Sequence, residues 1–153
     1  MPRYLLWLNP DLRDVGFKNR GMKTIHRLDE KPILIKELPS WVDKDFAKEN
    51  LDYFRSRIPY NIPETSLAYA PDEMGVAHMW EIQEEIRGEN LAEQPLWKKP
   101  LKWLRLTKMW REYYRISSLH RVDKYEGNFI WDKERNKLFY IDLIGGIPAC
   151  AGD

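Results

Sequence analysis

Three side chains in the last quarter of the sequence have the types and spacing for one piece of chemistry. Asp123 precedes Asn128 by five positions in Asp123-Lys-Tyr-Glu-Gly-Asn128-Phe-Ile-Trp, and Asp142 closes Lys137-Leu-Phe-Tyr-Ile-Asp142. A carboxylate can accept or orient the proton of an attacking hydroxyl. An amide oxygen and a second carboxylate are hard ligands of the kind magnesium prefers. Phosphoryl transfer needs little beyond metal charge, an oriented nucleophile and a lysine on the phosphates. Asn and Asp are also common at turns and strand ends, which is the competing structural reading of Asn128 and Asp142.

A lysine of the required kind occurs early. Lys36 ends the apolar run Pro32-Ile-Leu-Ile-Lys36, where an unpaired ammonium would be costly to bury; a strand-edge lysine is the alternative. That run and Met22–Leu28 flank Asp29-Glu-Lys, a hairpin signal. Ser40-Trp-Val-Asp43 has a capping pattern and predicts a helix to about Arg57, closed by Pro59 and Pro63. Val42, Phe46, Glu49 and Tyr53 recur at three or four residues, which predicts one helix face and makes Glu49 the candidate partner of Lys36. The rival reading leaves Glu49 on a solvated boundary.

Ser66–Ala70 and Val76–Ile82 around Pro71-Asp-Glu-Met-Gly75 read as a second hairpin. A helix is expected from Pro100 to about Ser117, with Trp103, Leu106, Trp110 and Tyr114 near one face. Asn128–Asp132 and Leu138–Asp142 form the last hairpin pattern, so that strands, helix, strands, helix and strands follow in turn. This order is α+β, not the alternation of a doubly wound sheet.

The 153 residues suit one compact domain, and the single Cys150 offers no internal disulfide and fits a reducing compartment. A net charge of +1 argues for neither nucleic acid nor membrane, and no apolar run approaches the ~20 residues of a membrane span. A cytoplasmic protein is the expectation. The three histidines are scattered and show no metal-cluster spacing.

With these elements in order, nearly the whole chain resembles the protein-kinase-like fold, in the reduced form of small bacterial and phage proteins. Pro32-Ile-Leu-Ile-Lys36 resembles the third-strand V-A-I-K motif, the following helix the one whose Glu pairs with that lysine, and Val76–Leu91 the fifth strand and hinge. Asp123 to Asn128 is similar to the catalytic loop D-x-x-x-x-N, and Asp142 corresponds to the Asp of D-F-G. The resemblance implies a two-lobed minimal fold, with an antiparallel N-lobe sheet over residues 1–86, a hinge near 83–86, and a short helical C-lobe with a catalytic-loop hairpin over 87–153. It implies ATP and magnesium as cofactors, with Asp123, Lys36 and Glu49 catalytic and Asn128 and Asp142 on the metal. Lys36 would also reach the phosphates, and the backbone around Gln83, Glu84, Glu85 and Ile86 would bind adenine. The implied activity is transfer of the γ-phosphate to a hydroxyl of a protein or small molecule.

Several positions depart from that pattern. His120 stands three residues before Asp123, with Arg121 in the usual histidine place, and the last motif reads Asp142-Leu-Ile-Gly145. Gly16-Phe-Lys-Asn-Arg-Gly21 has two glycines but not G-x-G-x-x-G. Eleven residues follow Asp142, so no peptide-binding activation segment is expected. A pseudokinase or nucleotide-binding module is the second reading, acting through a protein partner or self-association on surface that the short C-lobe exposes, with Trp97, Trp103 and Trp110 as either patch or core. Nucleic-acid binding through Lys98, Lys99, Lys102, Arg105, Lys108, Arg111 and Arg115 is the third, set against a solvated helix face.

Overall fold

A computed structural model describes residues 12–14, 25–28, 33–71, 74–94 and 103–144. The expectations on Gly16 to Gly21, Trp97, Lys98, Lys99, Lys102, Gly145 and Cys150 lie outside the described residues, as does that on the side chain of Trp103. The chain is α+β. It divides into two compact units, Met1–Tyr53 with Glu64–Glu85, and Phe54–Pro63 with Ile86–Asp153. Residues 54–63 therefore belong with the C-terminal half.

In the first unit, β1 (Leu12–Asp14), β2 (Ile25–Leu28), β3 (Ile33–Glu37), β4 (Thr65–Pro71) and β5 (Ala77–Glu84) form an antiparallel sheet in the order β1-β2-β3-β5-β4. Two-residue alternation sorts its side chains. Ile35 and Trp80 are buried on one face with Ile33, Ala68, Ala70 and Ile82 packed around them. The Trp80 indole N–H donates to the Ala70 carbonyl at 3.1 Å. The alternate positions put Lys36 of β3 directly opposite Glu81 of β5, and Thr65 of β4 opposite Gln83.

Helix α1 runs Lys44–Arg57. Its cap is Asp43, whose Oδ1 accepts the Phe46 N–H at 2.7 Å; the Ser40 pattern points three residues too early. Ala47, Leu51, Phe54 and Ile58 are buried at spacings of four, three and four. This replaces the expected Val42, Phe46, Glu49, Tyr53 stripe: Val42 is buried, Phe46 and Tyr53 are half-buried, and Glu49 is exposed. The reason is desolvation. The observed stripe is apolar throughout, whereas the expected one would bury a carboxylate. Phe46 instead meets Trp41 edge-on, at 5.3 Å between centroids.

The second unit takes α1 from Phe54, a 3₁₀ turn at Pro59–Asn61, β6 (Glu89–Asn90), a 3₁₀ turn at Leu91–Glu93, α2 (Trp103–Ser117), a 3₁₀ turn at Glu126–Asn128, β7 (Phe129–Asp132) and β8 (Lys137–Tyr140). The strands pair antiparallel in the order β6-β7-β8. The β7–β8 register runs from Phe129 opposite Tyr140 to Asp132 opposite Lys137. The turn is set by Asp132, whose Oδ1 accepts the Glu134 N–H at 2.9 Å and the Arg135 N–H at 3.1 Å, and by Asn136 at φ 53°.

The buried stripe of α2 is Leu106, Met109, Tyr113 and Ile116, against an expected stripe that included Tyr114; Tyr114 is 63% exposed. Leu106 belongs to both stripes; beyond it the buried face passes through Met109, Tyr113 and Ile116, while Trp110 is half-buried. A polar network ties three elements of this unit together. Asn61 Nδ2 donates to the Leu138 carbonyl at 2.8 Å and to Glu112 Oε2 at 3.3 Å. Glu112 Oε2 also accepts the Leu138 N–H at 2.8 Å, and Arg115 donates to Asn61 Oδ1 at 2.6 Å.

Gly88 precedes β6 and passes against the β7 backbone, where a Cβ would collide with the Trp131 carbonyl. Gly88→Ala is expected to destabilise the protein by about 1–3 kcal/mol, the usual cost of overpacking against an unyielding neighbour. Denaturant unfolding of the two proteins checks this, and an unchanged midpoint would refute the close approach.

Candidate functional site

The second unit brings Asp123, Asn128 and Asp142 to one end of the β7–β8 hairpin. The loop that carries Asp123 leaves α2 through turns in which the Leu119 N–H bonds the Ile116 carbonyl at 3.1 Å. Val122, 1% exposed, anchors it. The Asp123 N–H then donates to the Tyr140 hydroxyl at 3.1 Å. Tyr140 is the last residue of β8, fully buried, with its ring 5.2 Å from that of Phe54 and 5.1 Å from that of Phe129. One residue on, the Lys124 carbonyl accepts the Tyr113 hydroxyl at 2.7 Å. Adjacent backbone groups of the loop are thus held by two tyrosine hydroxyls, one acting as acceptor and one as donor.

The rest of the loop is fixed locally. Asp123 Oδ1 accepts the Tyr125 N–H at 3.0 Å, a turn closed by an aspartate on its own backbone. The Tyr125 carbonyl accepts the Asn128 N–H at 2.9 Å. Asn90 Nδ2 donates to the Gly127 carbonyl at 3.0 Å, which ties the loop to the residue after β6's first. Asn128 is in turn joined to the residue just after β8, because its carbonyl accepts the Ile141 N–H at 3.0 Å. Asp142 is the next residue, half-buried, and Leu143 and Ile144 after it are 1% and 0% exposed. Asp123 and Asn128 are also half-buried. His120 is exposed.

Asn128 and Asp142 offer oxygen donors, which suits a hard cation that keeps other ligands from water or phosphate. Among the described residues no three His, Cys, Asp or Glu side chains group as a complete metal cage.

Lys36, Glu49, Gln83, Glu84 and Glu85 fall in the first unit, and Ile86 begins the second half of the other. Lys36 is 5% exposed. Its Nζ donates to Gln83 Oε1 at 2.8 Å and lies 3.8 Å from Glu81 Oε1. Gln83 Nε2 donates to Glu81 Oε1 at 2.9 Å and to Thr65 Oγ1 at 3.4 Å. A carboxylate beside Lys36 is that of Glu81 on β5, and Glu49 is exposed on α1. Of the four residues expected to offer backbone to adenine, two lie inside a strand. Gln83 and Glu84 are paired within β5, and the Glu84 N–H bonds the Glu64 carbonyl at 2.8 Å; irregular backbone begins at Glu85 and continues to Gly88.

Sequence reasoning did not single out Glu81, Tyr113, Tyr140 or Asn90. The signal for Glu81 was present: an acid between Trp80 and Ile82 in an apolar strand needs a cation, and Lys36 ends an apolar strand before it. The tyrosines carried no signal beyond the need of a buried hydroxyl for a partner. Three of the basic residues on α2 are occupied within the unit. Arg105 pairs with Glu89 at 3.0 Å, Lys108 donates to the Asn136 carbonyl at 2.8 Å, and Arg115 serves Asn61.

No protein-family model matches the chain, and a search of curated proteins finds no match to it.

Tyr140→Phe removes the acceptor of the Asp123 N–H and is expected to cost about 1–2 kcal/mol in denaturant unfolding, the scale of a lost buried partner. Burial first, then the charges of Glu126, Tyr114 and Asp123, raise the Tyr113 pKa above its ordinary value. The folded chain holds that proton to higher pH than the unfolded chain, so the stabilisation is complete below about pH 10 and is lost as pH rises through the folded value. Tyr113→Phe should flatten the alkaline fall in stability. Parallel alkaline limbs in the two proteins would refute this.

Proposed function

We propose that the chain is an ATP- and magnesium-dependent phosphotransferase that moves the γ-phosphate to a hydroxyl acceptor, on a protein or a small molecule. The observation that carries the reading is the convergence of Asp123, Asn128 and Asp142: Asp123 is tied to Tyr140, and Asn128 to Ile141, at the strand end that presents Asp142. What supports the reading is that a candidate base and a candidate ligand are fixed through their backbone groups, Asp123 by the buried Tyr140 hydroxyl and Asn128 by the Ile141 amide.

In this reading Asp123 orients the acceptor hydroxyl and takes its proton, and Asn128 and Asp142 hold magnesium. The ion would supply positive charge to the phosphate oxygens. Lys36, a cation already desolvated and oriented by its neighbours, serves the phosphates. Glu85 and Ile86, beyond the end of β5, take over the adenine-binding role first given to the four residues from Gln83.

The test is thermal unfolding with ATP, with and without magnesium, followed by phosphate release or transfer. ATP at ~100 times its dissociation constant should stabilise the wild type by about 2.7 kcal/mol. Asp142→Asn should reduce the magnesium-dependent part of that shift. Asp123→Ala should keep the shift and lose at least about a hundredfold in turnover, the scale of a general base. Equal turnover in wild type and Asp123→Ala would remove the base assignment. No shift in the wild type would remove the nucleotide, and a shift without transfer would leave a nucleotide-binding module.

A further inference from the structure

We infer that Glu81 is the positioning residue for Lys36, so that the lysine is set from within the sheet. The inference rests on the phosphotransferase reading for what the lysine does, but not for how it is held.

The register does the positioning. Lys36 and Glu81 are directly opposite in the β3–β5 ladder, and side chains of an opposed pair leave the sheet on the same face. Glu81 is 0% exposed and Lys36 5% exposed, so both charges are taken from water, and a buried charge persists only with a partner and hydrogen bonds. Gln83, two residues along the same strand and therefore on the same face, supplies them. Its carbonyl oxygen accepts from Lys36 and its amide donates to Glu81, which makes one amide the bridge between the two charges. Thr65, opposite Gln83 on β4, takes another hydrogen bond from that amide. Three neighbouring strands thus contribute to one buried polar cluster.

The consequence concerns control. A lysine that depends on a helix carboxylate is switched by movement of the helix. Glu49 of α1 is exposed, and Glu81 belongs to the same ladder as Lys36. The lysine is then in position whenever β3 and β5 are paired, and displacement of α1 does not take its carboxylate away.

Two readouts on the full chain test this. The first is side-chain NMR of the Lys36 ammonium without nucleotide. Exchange of its protons with water should be at least about tenfold faster in Glu81→Gln than in wild type, and unchanged in Glu49→Gln. The second is ATP turnover, where Glu81→Gln should lower kcat/KM for ATP by at least about tenfold, the scale of a misplaced charged group. Unchanged exchange in Glu81→Gln, or equal acceleration in Glu49→Gln, overturns the inference. If Glu81→Gln does not fold, Glu81→Asp keeps the charge on a shorter arm and must accelerate exchange to a smaller degree; no acceleration overturns it equally. Absence of turnover in the wild type defeats the phosphotransferase reading alone, because the exchange measurement still decides how Lys36 is held.

Discussion

A phenol hydroxyl buried at the end of a strand must find a polar partner, and in this protein the Tyr140 hydroxyl finds the amide of Asp123. The ring cannot move to look elsewhere, because Phe54 and Phe129 lie against it at 5.2 and 5.1 Å. The loop therefore comes to the hydroxyl. Once Asp123 is fixed there, the loop has only a few residues in which to reach Phe129, the strand residue opposite Tyr140. A tight path is forced. It is met by the aspartate turn onto Tyr125, the 3₁₀ turn at Glu126–Asn128, and a glycine at 127, where a Cβ would collide with the Tyr125 ring. The placement of Asn128 beside the strand of Asp142 follows from that path.

Each unit has its own buried polar system, and the two are built differently. In the first unit two charges are adjacent in a sheet and a glutamine amide bridges them. In the second, Glu112 and Asn61 satisfy both the N–H and the carbonyl of Leu138, and so fasten a helix and a 3₁₀ turn to β8. The first arrangement leaves a cation oriented on one face of a sheet. The second consumes its charges in structure. Arg115 and Lys108, which look like members of a basic surface in the sequence, are directed to Asn61 and to the carbonyl of Asn136.

The hairpins were legible because two-residue alternation and turn chemistry are local signals. The β4–β5 and β7–β8 pairs lie within a few residues of where alternation and the Asp/Asn/Gly turns put them. Helix existence was legible for the same reason, and α1 ends at Arg57 as the prolines require. Helix faces were legible only in part. Val42 and Leu106 are buried as expected, but the expected stripes continued through Phe46, Glu49 and Tyr53, and through Trp110 and Tyr114, where the buried faces run through Ala47 and Leu51, and through Met109 and Ile116. Large rings such as Tyr114 and Tyr53 serve at a boundary, whereas a small alanine gives no signal in a hydropathy pattern yet is fully buried. For Lys36 the sequence carried a trace of Glu81, an acid flanked by Trp80 and Ile82, but the pairing itself depends on the β3–β5 register, which is a long-range property. The loop from Asp123 to Asn128 and the hairpin after it were legible as spacing, but the tyrosines that hold the loop belong to other elements.

The loop geometry also narrows what Asp123 can do. One of its carboxylate oxygens, Oδ1, accepts the Tyr125 N–H, which orients the group. A role on a reacting hydroxyl then falls to Oδ2. Its position is inherited from the backbone, because the amide of the same residue is held by Tyr140 and the next carbonyl by Tyr113. The backbone that carries the carboxylate is therefore held by one hydroxyl from β8 and another from α2. Asp142 is constrained in the complementary way, by Tyr140 two residues before it and by the buried Leu143 and Ile144 immediately after. A single tyrosine thus sets the spacing between the candidate base and the strand of the candidate metal ligand, which is the distance that in-line transfer to a hydroxyl would need to keep constant.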